Sequence, residues 1–254
     1  MKRWQGKYTN AQLIIRKNKV SLHVQVKVKI TPVPSSSFTP TFLGIDRGIT
    51  NIATCSDNTF FNSKRLRAVK GRYQYLKRKL QHLGTRSAKR KLQKLSGRER
   101  RFVLDANRCI SKAIVDKPFS IFVMEKLRNL KKIKRSRQFN RKLGSWSFYE
   151  LEKFIVYKAL QIRKSVILVN PYYTSQTCSR CGHAERANRR GSLFQCKVCG
   201  FSLNADLSAA RNIGVLGKSE YLRLCVNQPS IAPDDATDDR GRDSYKLLSS
   251  NGSD

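Results

Sequence analysis

An α/β fold built on a mixed sheet, and interrupted late in the chain by a four-cysteine zinc ribbon, is what this sequence predicts. Three observations predict it. Short apolar runs alternate with long stretches whose apolar residues recur at helical spacing. Two Cys-x2-Cys pairs stand 14 residues apart toward the C-terminal end. Of the 254 residues 39% are hydrophobic, with 12 Phe and 9 Tyr, which suffices for a sizeable core.

The first expected element spans Ala11 to Ile30, "AQLIIRKNKVSLHVQVKVKI". Val20, Leu22, Val24, Val26, Val28 and Ile30 fall on one face of a two-stranded ribbon that turns at Lys17 to Lys19. A lone hairpin is marginal in water, so residues 1–34 read as the remnant of a partial β-barrel. "TPVPSSSFTP" breaks the pattern as a linker. "TFLGIDRGITNIATCSDNTFFNS" then gives three strands in a meander, with a turn at Asp57 and Asn58, and opens a core that runs over residues 41–170.

Two basic helices follow. The first carries Leu66, Val69, Tyr73, Leu76, Leu80 and Leu83 inward, and the second Phe102, Ala106, Cys109, Ile110, Ala113 and Ile114. "FSIFVMEKL" is a buried strand ending in Glu125, and "KLRNLKKIKRSRQFNRKLG" is a basic loop. Ser147 and Glu150 are spaced as a capping box for a helix with Phe148, Leu151, Ile155, Ala159 and Ile162 inward. "SVILV" is the fifth strand of the core, and Tyr172 and Tyr173 beyond it are expected to pack as core rather than stack on bases. The ribbon occupies 171–202. A final helix over 203–217 is capped by Asn204 and stopped by a left-handed Gly214. The tail at 225–254 holds Asp234, Asp235, Asp238, Asp239 and Asp243 among Gly, Ser and Pro, a disordered composition.

Charge narrows the partners. Lys and Arg total 52 against 17 acidic residues, a formal net charge of +35, and such a field gathers polyanions. Nucleic acid is therefore the expected partner, ahead of a small molecule or a membrane. No apolar run reaches the roughly 18 residues of a spanning helix. The N-terminal residues lack an apolar signal segment, so a cytoplasmic, nucleoid-associated protein is expected.

Seven cysteines, four of them in two tight pairs, point to metal in a reducing compartment. Cys178, Cys181, Cys196 and Cys199, with Gly182 and Gly200 after each pair, suit two knuckles closing a tetrahedral zinc site. With no open position, that site is structural. His183 is not needed as a ligand. Cys55, Cys109 and Cys225 read as small core residues.

Three acids stand at the edges of apolar elements: Asp46 after "FLGI", Glu125 after "IFVM", and Asp206 at the start of the last helix. If they converge they form a site for Mg²⁺ or Mn²⁺, whose hard charge prefers carboxylate and water oxygens. Two such ions can clamp the attacking and leaving oxygens of a phosphodiester. The plainer reading pairs Asp46 and Glu125 with their neighbours Arg47 and Lys126, and makes Asp206 a helix-dipole residue. Spacing alone leaves both open.

The ordered set "GIDRGITNIA", "FVMEKLRNL", "YYTSQTCSRCGH", "FQCKVCG" and "NADLSAARNI" resembles the C-terminal half of the TnpB (OrfB-type) proteins of insertion sequences, over roughly Ala11 to Gly214. These are RuvC-like, RNA-guided DNA nucleases. The resemblance implies an RNase H-like (RuvC) core with catalytic Asp46, Glu125 and Asp206, a zinc ribbon inserted before the third, and a hairpin from a barrel that grips guide RNA and target DNA. It also implies a longer N-terminal region than this chain has. A chain truncated in this way is expected to bind nucleic acid and to nick it weakly without guidance. The rival expectation is a non-catalytic nucleic-acid-binding protein or regulator.

Overall fold

The short apolar runs of this chain build a sheet that is covered on both faces. The computed structural model describes residues 7–16, 19–27, 39–127 and 147–226. Val28 and Ile30 of the expected hairpin face, most of the linker, most of the basic loop after Glu125 and the tail beyond Val226 lie outside the described residues.

Strands β1 (Lys7–Arg16) and β2 (Lys19–Lys27) form the expected antiparallel hairpin as a two-stranded sheet of their own. The pairs Leu13 with Leu22 and Ile15 with Val20 make one apolar face, and all four side chains are more than 60% exposed.

The core sheet has the order β5-β4-β3-β6-β7. Its strands are β3 (Phe42–Asp46), β4 (Asn51–Cys55), β5 (Phe60–Asn62), β6 (Ile121–Glu125) and β7 (Ser165–Val169). The meander β3 to β5 is antiparallel, whereas β6 pairs in parallel with both β3 and β7. The sheet is therefore mixed.

Helices α1 (Lys64–Leu83) and α2 (Arg86–Val115) form a hairpin. Its turn is made by Gly84 at φ 62° and by Thr85, whose hydroxyl accepts from the Ala88 amide. The foot of α2 and helix α3 (Phe148–Gln161) cover one face through Val103, Ile114, Leu151, Ile155 and Ala159 against Leu43, Ile45, Phe122 and Met124. Helix α4 (Ala205–Val226) covers the other through Ile213 and Tyr221 against Ile121, Val123 and Phe42. Each fully buried Leu, Ile or Phe contributes about 1.5–3 kcal/mol, so both layers hold the sheet firmly.

Several expectations are corrected here. In α2 the expected Phe102, Ala106 and Ile110 pack half-buried against the core and Ile114 is buried, while Cys109 and Ala113 are exposed. The deepest positions also include Val103, Asn107, Ser111 and Val115, and the two polar ones among them hide this face from a hydrophobic pattern. Cys225 is also exposed, leaving Cys55 as the core cysteine of the three. Toward the far end of the helical hairpin Leu76 and Leu83 are exposed too, and Ile162 caps α3 at the surface.

Ser147 precedes α3 as expected, but no capping box forms. The buried Asn107 amide instead donates to both Ser147 Oγ and Glu150 Oε2, at 2.7 and 2.8 Å. Gly214 does not end α4, which continues to Val226. It lies instead against Gly44 of β3, where the glycine is required: a Cβ on Gly44 would stand 1.9 Å from the Ala210 oxygen and 2.5 Å from the Gly214 nitrogen. Tyr172 and Tyr173 are 75% and 66% exposed, because the chain has already left the sheet and Tyr173 adopts φ 61°. No described helix is long and apolar enough to cross a membrane.

Candidate functional site

Two constellations bear on chemistry, one local and one assembled from afar. The local one begins where Gly182 and Gly200 adopt φ 78° and 69° and so let each Cys-x2-Cys pair curl back on itself. The turns match: Gly182 N–H donates to the Cys178 carbonyl and Gly200 N–H to the Cys196 carbonyl. Strands β8 (Arg189–Arg190), β9 (Leu193–Gln195) and β10 (Ser202–Asn204) hold the second knuckle around a fully buried Phe194. The buried Asn188 side chain stitches the knuckles together, donating to the Gln176 and His183 carbonyls and accepting from Lys197 N–H.

All four sulfurs lie within 4.8 Å of one another, with Cys178 to Cys199 at 3.7 Å and Cys181 to Cys196 at 3.6 Å. Tetrahedral zinc with bonds of about 2.3 Å sets sulfurs about 3.8 Å apart, so the cluster fits that ion. His183 turns to Glu185 at 3.2 Å.

The second constellation follows from strand alternation. Leu43, Ile45, Phe122 and Met124 face α2 and α3, so Asp46 and Glu125, one residue on, face the α4 side. The parallel register sets Ile45 beside Met124, which brings the two acids to the same end of adjacent strands. Asn204 caps α4 as expected, accepting from the Asp206 and Leu207 amides at 3.0 and 3.2 Å. Asp206 is thereby fixed in the first turn, and Asn51 of β4 donates to its Oδ2 at 2.9 Å. The ribbon leads straight into this helix, and the Ala205 amide is still held by the Ser192 carbonyl.

Asp46 feels the other two acids. Burial, then the charges of Glu125 and Asp206, push the Asp46 carboxyl up to about 7. Burial also raises Glu125, against the opposing Thr174 hydrogen bond and the Arg47 and Arg189 charges. The plainer pairing does not hold for Arg47: its guanidinium binds Glu152 at 2.7 Å and the carbonyls of Phe148 and Glu125, strapping β3, β6 and α3 together.

Two participants escaped sequence reasoning. Arg189, from the ribbon, pairs with Asp206 at 3.0 Å and lowers both Asp46 and Glu125 by its charge. As one of 52 basic residues it carried no signal beyond its place in the ribbon. Thr174, 3% exposed, donates its hydroxyl to Glu125 Oε1, and its signal was its place in the segment leading into the first knuckle. Among the described residues the cysteines form the only set of three or more ligand atoms so tightly drawn. The carboxylates stand wider, with Arg189 among them.

The oxygen donors nevertheless suit a hard divalent cation. Burial is the main cause of the raised Asp46, and the Glu125 and Asp206 charges add to it, so a cation among the three would be favoured. The Thr54 hydroxyl, on the strand position opposite Asp46, is buried without a hydrogen-bond partner.

Known proteins resemble this chain. A family model described as "Probable transposase" matches residues 23–137, and one described as "Cas12f1-like, TNB domain" matches 148–213. The "Putative RNA-guided DNA endonuclease InsQ" of Escherichia coli K12 is 31% identical over 222 residues, 78% of this chain and 53% of InsQ. A "TnpB-like protein" of Aquifex aeolicus is 37% identical over 117 residues, 44% of this chain and 38% of that protein.

The chain belongs to the TnpB family.

Beyond these TnpB relatives, the "CRISPR-associated endodeoxyribonuclease Cas12f1" of Sulfoacidibacillus thermotolerans is 43% identical over 93 residues, 36% of this chain and 21% of Cas12f1. The fold matches a chain of the Cas12f1-sgRNA-target DNA complex at TM-score 0.57 and 24% identity, covering 78% of this chain and 54% of that one. The chain thus spans about half the length of InsQ and less of the other two relatives.

Proposed function

We propose that this chain is a RuvC-like, RNase H-type endonuclease unit that hydrolyses DNA phosphodiesters with Mg²⁺ or Mn²⁺ and works with a guide RNA. The observation that carries the reading is the convergence of Asp46, Glu125 and Asp206 from β3, β6 and α4 at one end of the sheet, a cluster of like charges that folding alone would disfavour. The similarity to InsQ and Cas12f1, both named as DNA endonucleases, supports the reaction, and the sgRNA and target DNA of the Cas12f1 complex support the partners.

Asp46, Glu125 and Asp206 would hold the ions. Bound there, Mg²⁺ or Mn²⁺ supplies the positive charge that hydrolysis needs on the attacking and departing oxygens. Asn51 turns one oxygen of Asp206, and Arg189 offers a guanidinium suited to a phosphate once ions neutralise the acids. The exposed Lys and Arg of α1 and α2 attract the backbone, which makes binding steeply dependent on salt. The cysteine cluster would hold zinc and keep Arg189 and the start of α4 in place.

The test is to incubate the zinc-loaded chain, with the RNA that co-purifies, with plasmids matched and unmatched to that RNA, with and without Mg²⁺. Metal-dependent cutting that follows the RNA sequence supports the whole reading. Metal-dependent cutting that ignores it leaves an unguided nuclease. Binding without cutting supports a regulator instead.

A further inference from the structure

The eight residues between β7 and the first knuckle, Asn170 to Thr177, do more than connect. They fold as a tight set of turns: Asn170 Oδ1 accepts from Tyr172 N–H at 3.2 Å, and the Tyr173 carbonyl accepts from the Gln176 and Thr177 amides, each at 2.9 Å. From the other side α4 takes hold of them. The side-chain amide of Asn212, 8% exposed, donates both its protons inward, to the Thr174 carbonyl at 2.8 Å and the Thr177 carbonyl at 2.7 Å. Thr174 is thus fixed by its backbone to the helix that bears Asp206, while its hydroxyl reaches Glu125 Oε1 on β6.

That hydroxyl has one proton and two acceptors within reach, Glu125 Oε1 and the Pro171 carbonyl at 3.1 Å. A carboxylate is the stronger acceptor. A free glutamate side chain samples many rotamers, and ordering it opposes binding. A donor on one oxygen removes much of that freedom before any ligand arrives.

We infer that Thr174, held by Asn212, is a positioning residue for Glu125: it engages Oε1, leaves Oε2 for a divalent cation, and ties the Glu125 rotamer to the helix carrying Asp206. This deepens the proposed function and rests on its reading of the three acids as cation ligands. Hydrogen-bond partners of ligating carboxylates commonly change metal affinity by about 10–100-fold when removed.

The experiment measures Mn²⁺ affinity of the full, zinc-loaded chain by the electron paramagnetic resonance signal of free Mn²⁺, with thermal melting alongside. Thr174→Val keeps the shape and removes the hydroxyl, and should weaken Mn²⁺ binding about 10–100-fold. Thr174→Ser retains the hydroxyl and should bind within a few-fold of the parent. Glu125→Gln should lose at least as much as Thr174→Val.

Should Thr174→Val fail to fold, Thr174→Ala removes the same hydroxyl without an added methyl and replaces it. Parent-like Mn²⁺ binding in the hydroxyl-free variant, with binding lost in Glu125→Gln, overturns the positioning role and leaves Thr174 a loop residue. Parent-like binding in Glu125→Gln overturns the cation-site reading itself. Loss in Thr174→Ser equal to that in Thr174→Val also overturns the inference, because the hydroxyl would then not be the operative group.

Discussion

The cysteine cluster and the carboxylate cluster manage crowded ligands in opposite ways. Four sulfurs from one short segment meet within 4.8 Å, each knuckle closing its own turn through a glycine. Three carboxylates from β3, β6 and α4 meet only because a sheet, a helix and the ribbon are all in place, and an arginine already stands among them. The first site carries its scaffold with it; the second borrows one. Damage should therefore travel from the ribbon to the acids and not back.

The largest break is at the ribbon. Structural zinc in such sites is worth about 10–16 kcal/mol at neutral pH. Cys196→Ser should abolish stoichiometric zinc, read by elemental analysis, and remove metal-dependent cleavage through the loss of Arg189 and the start of α4. Asp46→Asn should instead leave zinc content and near-ultraviolet dichroism at parent values. Zinc lost on changing Asp46 would erase the asymmetry.

Next comes the helix seat. Gly44→Ala places a methyl against the Ala210 carbonyl and Gly214, backbone atoms that cannot swing aside. Overpacking of this kind costs about 1–3 kcal/mol or more. Thermal unfolding should show that loss, with zinc still bound.

A smaller effect is set by pH. Asp46 has an ordinary value of 3.8 when unfolded and about 7 when folded, so between them the folded chain keeps a proton that the unfolded chain has lost. Its contribution to stability is fully present at low pH and is lost as pH rises through about 7. In zinc-replete buffer free of Mg²⁺ and Mn²⁺, melting temperature should fall across that window, and Asp46→Asn should flatten the slope. The smallest effect is at Asn51→Ala, which removes one hydrogen bond while Arg189 still holds the other oxygen of Asp206, so melting temperature should drop by less than for Gly44→Ala, with zinc content unchanged.

What the sequence made legible follows the same division. The cysteine spacing, the Asn204 cap and the apolar runs that end in Asp46 and Glu125 are local patterns, and each is present as read. Whatever depended on distant partners was hidden. Gly214 looked like a helix stop until Gly44 lay against it, and Ser147 with Glu150 looked like a capping box until Asn107 took both side chains. Arg189 and Thr174 became visible only when β8 and the segment after β7 brought them to the acids.

The central claim is that the three carboxylates form a cation site serving phosphodiester hydrolysis. It is tested most directly at Asp206, where helix capping and ligation make different demands. Asp206→Asn keeps size and loses charge, so its plasmid cleavage in Mg²⁺ or Mn²⁺ is to be compared with that of the parent, with DNA binding and zinc content measured on the same samples. The account predicts cleavage by the parent and none by the variant, with binding and zinc intact. Equal cleavage rates for the two proteins would contradict it.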